Sequence, residues 1–366
     1  MTTRRDIVLG SAAIAATSLR TAFAQSAAGS PPQGSDWRPA PPDSQGLSNG
    51  ALERLLYDGA AVRGLRGLLV ARHGVLVGER YFDRAGPDDL QPIHSCTKSL
   101  CSLLVGQALQ RGSLPGLEAT VRQLLPQAAA RAPESAASHA SLRQILTGRS
   151  GIAYEWTRQA RELAEAADPV RYALDLPADP QGSSRWTYND AAVSLLSPIL
   201  AQAEGQDLAD LARRDLFAPL GIERFGWQRD RSDLPRAQGG VSLRPRDLLK
   251  LAWMTLDGGR WNGRAVLPAA WAAEILVPRG PASWRVAPVD DVGYGCLWFT
   301  GRLHGEAVAW AWGYGAQFAL LAPRLRLAVV TVADAPPPSA LPQRNDAVMG
   351  LVARVVQLAT AGKGES

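Results

Sequence analysis

Lysine is scarce in this chain. Only Lys98, Lys250 and Lys363 stand among its 39 lysine and arginine residues, so arginine fills nearly every cationic role. A lysine can give up its proton and an arginine cannot, which makes a lysine inside an apolar helical stretch a candidate for chemistry. Cysteine is scarce too. Cys96, Cys101 and Cys296 are an odd set and no disulfide framework. Cys96 and Cys101, five apart on one predicted helix, point apart and make a poor bridge. The four histidines (His73, His94, His139, His304) have no metal-ligand spacing, and HExxH and CxxC are missing, so no metal is expected. GxGxxG and P-loop patterns are missing as well, which excludes a nucleotide cofactor; the expected cofactor is none. The formal net charge is +5, and Arg4, Arg5 and Arg20 against Asp6 fall in the N-terminal leader, leaving about +3 elsewhere. With no sustained basic patch, nucleic acid is excluded as a partner. No long hydrophobic run occurs that would span a bilayer.

The first 24 residues have the layout of an export signal. Arg4-Arg5 precede Asp6-Ile7-Val8-Leu9-Gly10, small and apolar residues follow, and Ala22-Phe23-Ala24 offers an A-x-A cleavage site before Gln25. The paired arginines resemble a twin-arginine signal. Arg20 interrupts the short apolar run, so a membrane anchor fits poorly. The expectation is a mature chain from about Gln25, exported to a bacterial periplasm or secreted, with no stable membrane insertion after cleavage. Residues 25–45 are rich in Pro, Ser and Gly and read as a flexible leader. The remaining ~320 residues hold one large or two interleaved domains.

The stretch around which the rest is organised is His94-Ser95-Cys96-Thr97-Lys98-Ser99-Leu100, continuing to Gly106. It reads as a helix start with an apolar face at Leu100, Leu103 and Leu104. Ser95 and Lys98, three apart, share one face. A serine becomes a nucleophile with a base beside it, and a lysine serves if it is held neutral. Burial and the positive end of the helix dipole both favour the neutral amine. The unpaired N–H groups of a helix start can bind a developing oxyanion. The spacing alone is a weak signal; the scarcity of lysine strengthens it. Cys96 points about 100° round the helix from Ser95 and has no base three residues on. It reads as small buried filler.

Residues 48–63 predict a helix with Ser48 or Asn49 as N-cap. Residues 67–71 and 75–82, around Arg72-His73-Gly74, predict a β-hairpin. From Ser95 to about Gly221 the chain is alanine- and leucine-rich with helical periods. Pro245-Arg246-Asp247 opens another helix through Met254. Strands are expected at 293–300, 306–312, 317–321 and 325–332, and a last helix at 345–360. Strands at both ends with helices between predict an α+β fold. In it, an antiparallel sheet formed by the N- and C-terminal segments is flanked by helices, and an all-helical domain is inserted. The expected boundaries are 46–93 with 236–366 for the α/β part and 94–235 for the helical part. The site would lie at their seam.

Two further stretches carry information. Trp186-Thr187-Tyr188-Asn189-Asp190 precedes a helix. A tyrosine hydroxyl near a lysine relays protons or, as phenolate, acts as a base; a tyrosine packed between helices would do neither. Trp310-Ala311-Trp312-Gly313-Tyr314-Gly315 lies between two predicted strands, where glycine lets a strand edge approach a ligand or another backbone, or simply makes a turn.

With these residues in view, the chain resembles the penicillin-recognising serine hydrolases: class C β-lactamases, DD-peptidases, and their esterase and 6-aminohexanoate-dimer hydrolase relatives. Ser95-Cys96-Thr97-Lys98 matches S-x-x-K, Tyr188-Asn189-Asp190 stands where that family has Y-x-N, and Trp312-Gly313-Tyr314 stands where it has K-T-G or H-x-G. Residues 141–152, 246–248 and 259–263 resemble its connecting segments, and 313–317 is most like the aminohexanoate-dimer branch. The resemblance runs from about residue 48 to 360. It implies a β-lactamase/transpeptidase-like fold with Ser95 as nucleophile, Lys98 as its activator and Tyr188 as proton relay to the leaving group. It also implies an oxyanion hole made by the backbone N–H groups of Ser95 and Tyr314, and substrate contacts at Asp190, Trp312 and Gly313.

Two departures bear on function. Asp190 replaces the usual Asn, and an acid there would hold Lys98 charged and move the base role to Tyr188. The third motif has no cation to bind a substrate carboxylate, which argues against efficient β-lactamase or DD-peptidase action. Trp310 and Trp312 are candidates for an apolar pocket. The first expectation is a serine hydrolase acting on a small-molecule ester or amide through an acyl-enzyme on Ser95. The alternatives are a β-lactam-reactive enzyme of cell-wall metabolism and a non-catalytic binding or sensor protein on the same fold. Oligomeric state is left open.

Overall fold

The computed structural model describes residues 36–361; the predicted export signal lies outside the described residues. Ser48 caps the first helix, α1 (Asn49–Asp58), its Oγ accepting from the Ala51 N–H at 3.4 Å. This helix stops earlier than its pattern predicts, because Gly59–Ala61 tightens into a 3₁₀ turn. The expected hairpin follows as β1 (Leu65–Arg72) and β2 (Val75–Tyr81). His73 and Gly74 between them both take positive φ, 51° and 88°, the twist that a tight hairpin needs.

The SxxK stretch forms α2 (Cys96–Arg111), which ends at Gly112 in a left-handed cap. Short helices fill the following text, among them α3 (Trp156–Glu165) and α4 (Asp190–Ser194). Helix α5 (Pro245–Leu256) opens with its proline at the first position, where a missing N–H costs nothing. Then come β3 (Asp290–Gly295), β4 (Trp298–Leu303), β5 (Glu306–Gly313), β6 (Gln317–Ala322), β7 (Leu327–Ala333) and α6 (Leu341–Ala361).

These seven strands make one antiparallel sheet in the order β2-β1-β7-β6-β5-β4-β3. The pairing of β1 with β7, Leu68 opposite Thr331 and Val70 opposite Val329, joins the two ends of the chain in one sheet. Every residue of β6 and β7 is buried, which is why these strands read as near-continuous apolar runs. Helices α1, α2, α5 and α6 pack against the sheet. The α+β architecture expected from strands at both ends and helices between is the one observed.

Two expectations are corrected in detail. The single strand expected at 293–300 is two, β3 and β4, because Cys296 and Leu297 take positive φ (51° and 61°) and turn the chain back. Gly293 and Gly295 precede the turn, but the residues that make it are neither Gly nor Asn, so the sequence does not mark it. The last helix begins at Leu341, ahead of the expected Asn345, with Pro342 in its first turn. A small sheet of Gln91–Pro92, Val241–Leu243 and Gly226–Trp227 was not expected. It ties the chain just before Ser95 in place: the Ile93 N–H donates to the Val241 carbonyl at 2.9 Å, and the Val241 N–H donates to Thr97 Oγ1 at 3.2 Å.

Candidate active site

Ser95 stands at the N-cap of α2, yet its hydroxyl caps no backbone amide. Its Oγ instead accepts from Lys98 Nζ at 2.9 Å and hydrogen-bonds the Tyr188 side chain. The helical spacing of three delivers the first contact, as expected. The second is tertiary. Asn189 caps α4 by accepting from the Ala192 N–H at 2.9 Å, and it donates to the Ile152 carbonyl at 3.0 Å. That anchor sets Tyr188 and Asp190, its two neighbours, against α2.

Lys98 is 2% exposed. Its Nζ also donates to the Gln238 carbonyl at 2.6 Å, and Asp190 Oδ1 lies 2.8 Å away as an ion pair without hydrogen-bond direction. Asp190 thus faces Lys98. The Nζ stands 4.7 Å from the centre of the Tyr188 ring. Burial drives the Tyr188 hydroxyl pKa well above its ordinary value, with the Asp190 charge adding to the rise and the Ser95 hydrogen bond opposing it. The resting group is a neutral phenol. Cys96 is fully buried, its thiol pKa pushed up by desolvation and its Sγ near the Gln317 carbonyl at 3.4 Å, consistent with filler.

The end of β5 closes the other side. Gly313 runs so near the chain before Ser95 that a Cβ there would collide with the Ile93 carbonyl oxygen. Among the described residues, neither the Ser95 nor the Tyr314 backbone N–H donates a hydrogen bond. The Tyr314 hydroxyl donates to the Pro336 carbonyl at 2.7 Å, which fixes its ring away from the nucleophile's own hydrogen bonds. Trp312 is mostly buried, 5.1 Å from Phe299 and 5.8 Å from Phe318 between ring centres. Trp310 is wholly buried and stacks on Phe299 at 5.6 Å, so of the two candidate pocket tryptophans it belongs to the core.

The structure therefore gathers Ser95, Lys98, Tyr188 and Asp190 into one hydrogen-bonded and ionic cluster, with Gly313 and Tyr314 beside it. Sequence reasoning missed four participants. The Gln238 carbonyl that holds Lys98 has no local signal, since any residue offers a carbonyl. Trp156 and Trp284 reach the site from segments remote from every motif; their half-buried rings meet at 6.1 Å. His94, one residue before the nucleophile, sits with its ring 6.0 Å from Tyr314, at a positive φ of 47° and with its pKa lowered by burial. Among the described residues, no three His, Cys, Asp or Glu side chains gather as metal ligands, and no helix is long and apolar enough to cross a membrane.

Comparison with known proteins bears on the family and the fold. The 6-aminohexanoate-dimer hydrolase of Paenarthrobacter ureafaciens is 26% identical over 225 residues, which cover 57% of this chain. The match spans 56% of that relative, so the chain covers little more than half the length of the curated protein it matches. Among solved structures, the D-amino acid amidase from Ochrobactrum anthropi SV3 superposes with a TM-score of 0.67 at 18% identity, over 86% of this chain and 99% of that one. A penicillin-binding protein homologue from Caulobacter crescentus gives 0.65 at 16% identity, over 90% and 100%. At such identities these structures speak for the fold. The family described as Beta-lactamase matches residues 52–354, most of the sequence, and the chain belongs to that family.

Proposed function

We propose that this protein is a serine hydrolase that cleaves an ester or amide bond of a small molecule through an acyl-enzyme on Ser95. The observation that carries the reading is the Ser95 hydroxyl itself. It caps nothing at its helix start and is bound by both Lys98 Nζ, at 2.9 Å, and Tyr188. Structural serines at helix starts are normally engaged with backbone N–H groups.

In the proposed course, Ser95 Oγ attacks the substrate carbonyl carbon. Its proton passes to the Tyr188 oxygen while the proton of that phenol moves to the departing alcohol or amine, so no free phenolate forms. Lys98, set between Ser95 and Asp190, acts as activator by holding positive charge beside the oxygen that loses its proton. The unengaged N–H groups of Ser95 and Tyr314 suit the carbonyl oxygen as it becomes negative. Water then attacks the acyl-enzyme, and the same groups move the proton back. The hydrolase and amidase names of the relatives support this reaction class. Trp312, standing where β-lactam enzymes carry a cation, speaks against that alternative.

Two companion proposals follow from the sequence: export through the twin-arginine-like signal at 1–24, and a division into an α/β part (46–93 with 236–366) and a helical part (94–235) that meet at the site.

Mass spectrometry after a fluorophosphonate probe tests the mechanism, with a penicillin in a parallel tube. The expected result is an adduct on Ser95 and hydrolysis of simple esters, both lost in Ser95→Ala while that variant still folds. Turnover in Ser95→Ala would overturn the mechanism, and a lasting penicillin adduct would put cell-wall chemistry ahead.

A further inference from the structure

Two half-buried tryptophans that the bond-breaking step does not use stand beside Tyr188 and Tyr314. Trp156 is the first residue of α3, in the helical text; Trp284 lies between the Ala269–Ile275 helix and β3. Their rings meet edge to face at 6.1 Å and 75°. Trp284 also stacks on Tyr188 at 4.2 Å, and Trp156 lies 6.1 Å from Tyr314. The pair therefore spans from the proton relay to the oxyanion side, and each ring is contributed by a different part of the fold. Indole surface left partly in water at the mouth of a site is an apolar platform for whatever binds there.

The charges nearby decide what that platform suits. Lys98 is already engaged by Ser95, Asp190 and the Gln238 carbonyl, so it offers no spare partner to an anionic substrate group. Asp190 is engaged by Lys98 and offers none to an ammonium. Among the described residues, no arginine or lysine lies over the Trp156, Trp284 or Tyr314 ring. A charged group placed against these rings would lose water and find no spare counter-charge in the Ser95, Lys98 and Asp190 cluster.

We propose that Trp156 and Trp284 form an aromatic clamp that binds an uncharged apolar group of the substrate, aryl or bulky alkyl, beside the bond that Ser95 attacks. The clamp makes these two residues determinants of specificity, and it rests on the reading of Ser95 as nucleophile.

The test compares kcat/KM for four p-nitrophenyl esters: phenylacetate, acetate, the cationic glycinate and the anionic hemisuccinate. Wild-type protein is expected to favour phenylacetate. Trp156→Ala and Trp284→Ala should each lower the phenylacetate-to-acetate ratio about tenfold, as for other apolar pocket contacts, and Trp284→Phe should restore most of it. Trp156→Ala keeps the test open should Trp284→Ala fail to fold. Fluorophosphonate labelling of Ser95 accompanies every variant. A labelled protein whose ratio is unchanged in both alanine variants, or whose wild type prefers either charged ester, overturns the clamp alone. Wild-type protein that takes no label overturns the hydrolase reading and the clamp with it.

Discussion

Ser95 and Lys98 sit one helical turn apart, and the turn alone explains their 2.9 Å contact. What makes the pair unusual is how Lys98 is held. A buried lysine costs free energy unless its donors are engaged, and here Ser95 Oγ, the Gln238 carbonyl and the Asp190 carboxylate surround it. Each acceptor approaches a compact ammonium from its own direction. A planar guanidinium is larger and keeps its fork rigid, so it cannot reproduce the arrangement in a closed site. Lys98→Arg is therefore expected to lose activity as fully as Lys98→Ala, read as kcat/KM for a simple ester. An active arginine variant would mean that positive charge alone suffices. Lys98→Ala should also destabilise the fold by about 3–5 kcal/mol, because Asp190 is left as a buried charge without a partner; denaturant titration measures it.

At the scale of elements, the site depends on a strand end meeting a helix start. The last residue of β5, Gly313, passes against the Ile93 carbonyl two residues before Ser95, closer than any side chain would permit. Strand and helix are both fixed elsewhere, by the ladder to β6 and by the bonds of Ile93 and Thr97 to Val241. Gly313→Ala must therefore push one of them aside. The expected outcome is a loss of at least about 100-fold in kcat, the size seen when one oxyanion donor is displaced, with the far-UV CD spectrum intact. Glycine in this stretch was legible as a sign of close approach. The sequence did not say what it approached, because the partner is a backbone oxygen far away in the chain.

Over the whole molecule, burial leaves a mark on pH dependence. Tyr154, Tyr188 and Tyr294 are buried, and desolvation is the main cause of pKa values raised above the ordinary one, with the Asp190 charge adding to each. In the unfolded chain these tyrosines ionise near pH 10. A raised folded value means that their contribution to stability is complete below about pH 10 and is lost as pH rises toward the folded values. Denaturant unfolding compared at pH 9 and pH 11 should show a falling midpoint. Tyr154→Phe should lessen that fall. The Tyr154 hydroxyl is buried without a hydrogen-bond partner, so the same change should add about 1 kcal/mol of stability at pH 7.

Local chemistry was enough to determine much of this protein. Apolar runs around His73-Gly74 gave a hairpin, runs near the C-terminus gave strands, and the scarcity of lysine singled out Lys98 three residues after Ser95. These follow from the period of a helix or strand and from the chemistry of one side chain, which a sequence carries directly. Motif order linked Ser95 to Tyr188 and Gly313 through resemblance, though no periodicity reaches across such separations. Only the tertiary structure decided that Asp190 faces Lys98, that the Gln238 carbonyl completes its cage, and that Trp156 and Trp284 meet beside Tyr188. It also split residues 293–300 into two strands at Cys296 and Leu297. The physical reason is common to all of these. A backbone carbonyl, an ion pair between distant helices and a contact between rings on separate segments depend on where packing brings the chain, and no short stretch of residues encodes that position by itself.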